Sequence, residues 1–205
     1  MDWQDPEDAT ELVLDCAHNV DAARALRCTL DEEYPVAAGW SRTLVVAMAA
    51  DKDTAGFAAE LAPTVLDGVG GSVVVASVPI AGSGSRSAPV EDLAALWRAA
   101  LGEEASGARD CGRGAGDRDG GAGRTRVAVR ESVAEALEHA LRRRLNAPGL
   151  DEGEEGVVQR RVVCVTGSTY CVGAAHVLLE ETKKAEEVHP PARGGGARGG
   201  EVSRA

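Results

Sequence analysis

Short apolar runs alternate along the chain with longer stretches in which apolar residues recur every three or four positions. Runs of Val, Leu and Ala predict β-strands, and the three- to four-residue spacing predicts helices with one buried face. The predicted strands are 11–15, 43–48, 72–77, 125–129 and 161–166. The predicted helices are 20–33, about 54–66, 89–101, 132–145 and one that follows Thr169 and ends at about 187.

Local signals at the helix ends refine these boundaries. Pro63 is expected to bend or end the second helix because proline has no backbone N–H. Pro89 suits the first turn of the third helix. Ser132 with Glu135 three residues later predicts a capping box at the start of the fourth.

The strands are nearly continuous apolar runs, and each is followed by a helix. This pattern predicts a mostly parallel sheet with helices on both faces, which is a doubly wound α/β fold. The run at 11–15 is expected to be a buried strand, and the short run at 125–129 an edge strand. Ligands of such folds bind beyond the carboxyl ends of the strands, so the residues that follow the strands form the candidate site.

Glycine content divides the chain into regions. Of the 25 glycines in 205 residues, 8 lie in 102–124 and 5 in 188–205. Both segments lack large apolar residues, apart from a valine at each end of the second, and cannot bury enough surface to offset the entropy of ordering. We therefore expect a domain over 11–187, preceded by an N-terminal extension at 1–10, with a disordered insertion at 102–124 and a disordered tail at 188–205.

The charge and cysteine content exclude several classes of function. The formal net charge of -11 argues against a nucleic-acid-binding surface, which needs clustered basic residues. No apolar run approaches the roughly 20 residues that span a bilayer, so no membrane partner is expected. Five cysteines without a CxxC pair fit a reducing compartment and no zinc site. The polar, acidic start predicts a cytoplasmic protein, with mitochondria or plastids as alternatives if a targeting segment lies upstream.

Polar side chains cluster after the first predicted strand. Asp15, His18 and Asn19 place a carboxylate, an imidazole and an amide within five residues. A carboxylate can accept hydrogen bonds from ribose hydroxyls, and an imidazole can orient a carboxylate or a phosphate. The alternative is that Asp15 or Asn19 caps the next helix and that His18 is a solvated turn residue.

Two further strand ends carry candidate residues. The segment 51–53 (Asp-Lys-Asp) follows the second strand, and Asp53 alternatively serves as an N-cap. Gly167 and Ser168 follow the last strand at a helix N-terminus, where backbone N–H groups favour an anion, and Ser168 can cap the helix, bind a ligand carboxylate, or do both. Arg86 lies in a Gly/Ser-rich loop after the third strand and can reach an anionic ligand, although a single surface arginine often binds nothing specific.

Several catalytic motifs are absent from the sequence. No GxxxxGK[ST] segment occurs, so this chain carries no P-loop of its own. No GxGxxG segment follows a strand, and the Gly167-Ser168 pair lacks the last glycine of a GxSxG elbow.

Five segments in order resemble one enzyme family. They are 12–19 (LVLDCAHN), 44–53 (LVVAMAADKD), 86–93 (RSAPVEDL), 132–137 (SVAEAL) and 166–173 (TGSTYCVG). Together they are similar to the C-terminal domain of folylpolyglutamate synthases and dihydrofolate synthases, in the Mur ligase superfamily. The resemblance covers 11–181, and Cys16 stands where the family has Gly or Val.

The resemblance implies a Rossmann-like domain and an ATP-dependent, Mg²⁺-requiring ligase. In that family the γ-phosphate of ATP is transferred to a folate carboxylate, and the amino group of glutamate attacks the acyl phosphate to form an amide. A P-loop ATPase domain precedes the matched domain, so we expect it upstream or as a separate chain. We expect ATP and Mg²⁺ to bind only to the intact two-domain enzyme, and the chain alone to be inactive.

The resemblance also implies roles for individual residues. Asp15 would contact the ATP ribose or adenine side, and His18 would lie at the glutamate and phosphate end. Asn19, Ser168 and Arg86 are the other expected substrate-binding residues; Asp51, Lys52 and Asp53 are expected to support the mouth of the site. The alternative hypothesis is a non-enzymatic remnant that binds anions or amino acids weakly, or that contacts other proteins.

Overall fold

The computed structural model describes residues 10–67, 70–81, 86–103, 126–142 and 160–188, with side chains in the last segment described to 184. The strands are β1 (Thr10–Leu14), β2 (Trp40–Val46), β3 (Ser72–Ala76), β4 (Val127–Arg130) and β5 (Arg160–Thr166). The helices are α1 (Val20–Glu33), α2 (Thr54–Leu66), α3 (Val90–Ala100), α4 (Val133–Arg142) and α5 (Thr169–Val188). Most of the predicted extension, insertion and tail lies outside the described residues, so those boundaries stay predictions.

All strand pairs in the described sheet are parallel, in the order β1-β5-β2-β3-β4. Helices α1, α2 and α3 pack on one face, and α4 and α5 pack on the other. The predicted doubly wound α/β fold is therefore confirmed. The last described strand, β5, lies inside the sheet, between β1 and β2.

Alternate residues of the central strands fill two separate cores. Leu44 and Val46 of β2 point to the α1–α3 side, where they pack with Phe57 and Trp97. Val45 points to the opposite side, against the buried residues of α4 and α5. A strand buried on both faces has no polar alternation, which is why the sequence shows continuous apolar runs.

The structure corrects two expectations about strands and one about Pro63. Strand β1 is an edge of the described sheet and only half-buried, because it pairs with β5 alone. Strand β2 begins at Trp40, three residues before the predicted start. Helix α2 does not end at Pro63 but continues to Leu66. The proline cannot donate to the carbonyl four residues earlier, but its own carbonyl still accepts from the Asp67 N–H over 3.0 Å.

The predicted capping signal at α4 is present. The Glu135 N–H donates to Ser132 Oγ over 3.2 Å. The Glu135 carboxylate accepts from the Glu131 N–H over 3.3 Å, so the return bond reaches one residue before the cap. Among the described helices, none is long and apolar enough to cross a membrane.

Candidate functional site

The carboxyl ends of β1, β5 and β2 lie side by side at one edge of the sheet. The helix that follows β5 packs on one face, whereas the helices that follow β1 and β2 pack on the other. The chain therefore leaves the sheet in opposite directions on either side of β5, which opens the crevice where such folds bind ligands. The predicted turns 15–19, 51–53 and 167–168 all belong to this edge.

The turn after β1 is organised by short-range hydrogen bonds. Asp15 is half-buried, and its Oδ1 accepts from the Ala17 N–H over 2.7 Å. His18 is exposed, with Nδ1 2.9 Å from the Cys16 carbonyl oxygen. Asn19 caps α1, since its Oδ1 accepts from the Ala22 N–H over 2.9 Å. The predicted capping role of Asn19 is thus observed, while His18 keeps its ring accessible.

Main-chain hydrogen bonds join this turn to the turn after β5. The Gly167 N–H donates to the Ala17 carbonyl over 2.9 Å, and the Thr166 hydroxyl lies 3.4 Å from the same oxygen. Gly167 has a φ of +102°, and a Cβ there would lie 2.7 Å from the Ala47 carbonyl oxygen. Glycine is needed here both for the left-handed backbone and for the close approach to β2.

The Ser168 hydroxyl is buried, with the residue 7% exposed. It donates to the Ala47 carbonyl over 2.9 Å and accepts from the Cys171 N–H over 3.1 Å. Ser168 therefore caps α5 and ties it to the end of β2, which is one of the two roles that the sequence left open. A ligand-binding role for this hydroxyl stays a prediction.

The segment 51–53 is exposed at the start of α2. Asp53 caps the helix, because its Oδ1 accepts from the Gly56 N–H over 2.8 Å. The Lys52 N–H donates to the Ala49 carbonyl over 3.3 Å, which fixes the backbone while the ammonium group stays in solvent. Asp51 and Lys52 are exposed just before α2, and their role as supporting residues of the site stays a prediction.

Arg86 is held beside the end of β2 through its backbone. Its carbonyl accepts from the Ala50 N–H over 3.0 Å, and the Ala88 N–H donates to the Met48 carbonyl over 2.8 Å. Ser87 and Ala49 form an antiparallel bridge between these two bonds. The Arg86 side chain is exposed, so its positive charge lies at the same edge of the sheet as that of Lys52. No local pattern in the sequence indicates this bridge, because the segment around Ser87 contains no apolar run.

Two buried thiols lie behind the site, on β5 and on the first turn of α5. Burial raises the pKa of Cys171 to about 12, and burial also raises the pKa of Cys164. Both thiols therefore stay protonated and unreactive near neutral pH. Cys16, in the turn after β1, is exposed. Within the described residues, no group of three or more His, Cys, Asp or Glu side chains could hold a metal ion.

Some polar side chains of the site already form hydrogen bonds within the chain, whereas others are accessible to a ligand. The side-chain oxygens of Asn19, Asp53 and Ser168 each cap a helix. His18, Asp51, Lys52 and Arg86 are exposed, and Asp15 has a second carboxylate oxygen that can accept from a ligand hydroxyl. This set fits a ligand with hydroxyl and anionic groups, as a nucleotide or an amino acid has.

No protein-family model and no curated protein sequence matches the chain. Solved structures do match. Folylpolyglutamate synthase of Mycobacterium tuberculosis complexed with ADP aligns with a TM-score of 0.56 and 27% identity, over 82% of this chain and 29% of that one. The same enzyme complexed with ADP and AMPPCP aligns with a TM-score of 0.52 and 26% identity, again over 82% and 29%.

A third match shares the fold at lower identity. FolC of E. coli in complex with ADP, without folate substrate, aligns with a TM-score of 0.54 and 21% identity, over 84% of this chain and 29% of FolC. These matches confirm the resemblance to folylpolyglutamate synthases that the sequence motifs predict. The chain spans less than a third of the length of these structures.

Proposed function

We propose that this chain is the C-terminal, glutamate- and nucleotide-contacting domain of an ATP-dependent folylpolyglutamate or dihydrofolate synthase. The observation that carries the proposal is the crevice at the end of β5. Four of the five family-like segments supply neighbouring turns there: 12–19, 44–53, 86–93 and 166–173. The structural likeness to an ADP-bound folylpolyglutamate synthase supports it.

In this proposal the described residues bind and orient the substrates. The half-buried Asp15 carboxylate accepts hydrogen bonds from the ribose, and the exposed His18 faces the phosphate and the incoming glutamate. The N-terminus of α5, capped by Ser168, provides a favourable field for the glutamate carboxylate, and Arg86 adds a positive charge. ATP supplies the phosphoryl group, and positioning of the glutamate amine would provide much of the catalysis.

The phosphate-binding machinery belongs to a P-loop ATPase domain, present upstream or as a separate chain. Mg²⁺ would bind with ATP in the assembled enzyme. Folate-type substrate would enter through that domain, so the choice between folylpolyglutamate and dihydrofolate synthesis depends on residues outside this chain.

The test uses the purified full chain with ATP, Mg²⁺, folate and glutamate. We expect ADP release no higher than that of a His18→Ala variant, because the chain has no P-loop. Addition of the P-loop domain of a folylpolyglutamate synthase is expected to give glutamate-dependent ADP release, which His18→Ala abolishes. ADP release by the chain alone, above the variant, would contradict the proposal.

A second candidate function is a non-enzymatic remnant. It is favoured by one observation: Asn19, Asp53 and Ser168 already use their side chains as helix caps, which a purely structural domain would also need. Calorimetric titration with glutamate and with ADP separates the two. An absence of heat with both ligands, with and without the P-loop domain, would support the remnant.

A further inference from the structure

Gly56 occupies the first turn of α2, where another residue would form a better helix. Its backbone needs no glycine for conformational reasons, since it lies in a regular helix. A Cβ at this position would lie 2.8 Å from Val20 Cγ2 and would also collide with the Asp53 carboxylate. The absent side chain therefore allows two chain segments to approach each other.

These two segments carry the candidate site. Val20 is the first residue of α1 and follows the cap Asn19, while Asp53 caps α2 through the Gly56 N–H. His18 and Lys52 each stand one residue before a cap. The separation of Gly56 and Val20 consequently sets the separation of the turn 15–19 from the segment 51–53.

A second link between the same helices lies one turn further from the site. Glu60 forms ion pairs with Arg24 over 3.4 Å and with Arg27 over 3.8 Å. These long, partly exposed side chains can adjust to small shifts, so they hold the helices together without fixing a distance. Val20 is β-branched and has one preferred rotamer in a helix, so it yields little.

We propose that Gly56 is a positioning residue: its missing side chain closes the start of α2 onto Val20 and thereby holds His18 and the 51–53 segment at the spacing that the substrate needs. Only the consequence for substrate binding rests on the proposed function. The mechanical coupling itself is a property of the free chain.

The coupling is tested by NMR on the full ¹⁵N-labelled chain. Gly56→Ala is expected to shift the amide resonances of His18 and Asn19, although these residues lie on another element. The double variant Val20→Ala/Gly56→Ala removes the clash with Val20, although not the one with Asp53. It should return the His18 and Asn19 resonances toward their positions in Val20→Ala alone. Gly173→Ala is the matched control, since a Cβ at Gly173 meets nothing within 4 Å; Glu60→Gln controls for loss of an α1–α2 contact.

Val20→Ala alone gives the reciprocal test if Gly56→Ala does not fold, and should shift the amides of 51–53. The inference would be overturned if Gly56→Ala left the His18 and Asn19 resonances unchanged, or if Val20→Ala left those of 51–53 unchanged. A shift that the double variant does not reverse would also overturn it. Glutamate titration then measures the consequence: Gly56→Ala should weaken binding on the order of tenfold, and the double variant should recover it. If the wild type binds no glutamate, with and without the P-loop domain, while the resonances shift and return, the proposed function fails and the coupling stands.

Discussion

At the scale of single residues, the site is joined by main-chain atoms more than by side chains. The Ala17 carbonyl accepts from the Gly167 N–H, and the Ala47 carbonyl accepts from the Ser168 hydroxyl. Side chains at Ala17 and Ala47 therefore need only be small. Gly167 is the constrained residue, because its left-handed backbone and missing side chain permit the close approach to the Ala47 carbonyl.

Gly167→Ala is expected to lower the free energy of unfolding by more than the cost of the left-handed backbone alone. That cost is about 1–2 kcal/mol, and the clash with the Ala47 carbonyl adds to it. Gly39→Ala is the matched control, because Gly39 has a φ of +83° with nothing within 4 Å of a Cβ. Urea denaturation of both variants measures the difference. Equal losses would mean that the approach of Gly167 to β2 carries no energetic weight.

The buried Cys171 thiol predicts a loss of stability at alkaline pH. In the unfolded chain the thiol ionises near pH 9.0, whereas burial raises its pKa to about 12 in the folded state. Between these values the thiol loses its proton only in the unfolded chain. The stability that the protonated thiol contributes is therefore complete below pH 9 and is lost as the pH rises. At about pH 10 the loss is about 1 kcal/mol for this thiol.

Urea denaturation at about pH 8 and about pH 10 measures this loss. Cys171→Ala should show a smaller decrease between the two conditions than the wild type does, whatever its absolute stability. A decrease of the same size in both proteins would place the pH dependence in other groups.

At the scale of elements, the amino-terminal end of β2 depends on a buried arginine. Arg42 is 3% exposed; its Nε donates to the Tyr34 carbonyl over 2.9 Å, and its Nη1 lies 2.6 Å from Asp31 Oδ1. These bonds fasten the end of α1 to the sheet. Trp40 supports the same corner through an edge-on contact with Tyr34.

Arg42→Met is expected to destabilise the fold by about 1–3 kcal/mol, because the Tyr34 carbonyl and Asp31 lose a charged donor. Arg24→Met is the matched control: it removes the two ion pairs of an exposed arginine and should cost less than about 0.5 kcal/mol. Thermal and urea denaturation measure both. Similar effects of the two changes would show that the buried contact is not special.

The elements next to Arg42 show which boundaries could be predicted from the sequence and which could not. The bounds of α1 are as predicted, since its apolar spacing and the cap Asn19 are local signals. The start of β2 was missed because Arg42 interrupts the apolar run, and only its distant partners make it a buried residue. The capping roles of Asn19, Asp53 and Ser168 were among the stated alternatives, whereas the approach of Gly56 to Val20 had no local signal.

At the scale of the whole molecule, the order of strands creates the site. The sequence predicts parallel strands, but no local pattern indicates that β5 inserts between β1 and β2. That insertion brings the Asp15 and Ser168 turns together.

The predicted disordered insertion at 102–124 implies that residues 104–124 can be removed. The residues on either side are adjacent, because the Glu103 carboxylate accepts from the Arg126 N–H and Arg126 Nη1 donates to the Val65 carbonyl over 3.0 Å. Replacement by a short Gly-Ser turn should change the free energy of unfolding by less than about 1 kcal/mol, since loop length contributes weakly to closure entropy. Circular dichroism and urea denaturation measure this. Loss of cooperative unfolding would place the segment within the folded domain.

The position of β5 also has a consequence for synthesis on the ribosome. Thr10 pairs with Arg161. Strand β1 therefore cannot pair with β5 until some 150 further residues have been translated. Until then β2, β3 and β4 can associate, while β1 and the turn that follows it have no strand beside them. A nascent chain released before Arg160 would therefore lack the crevice altogether, and the candidate site is among the last parts of the described domain that can form.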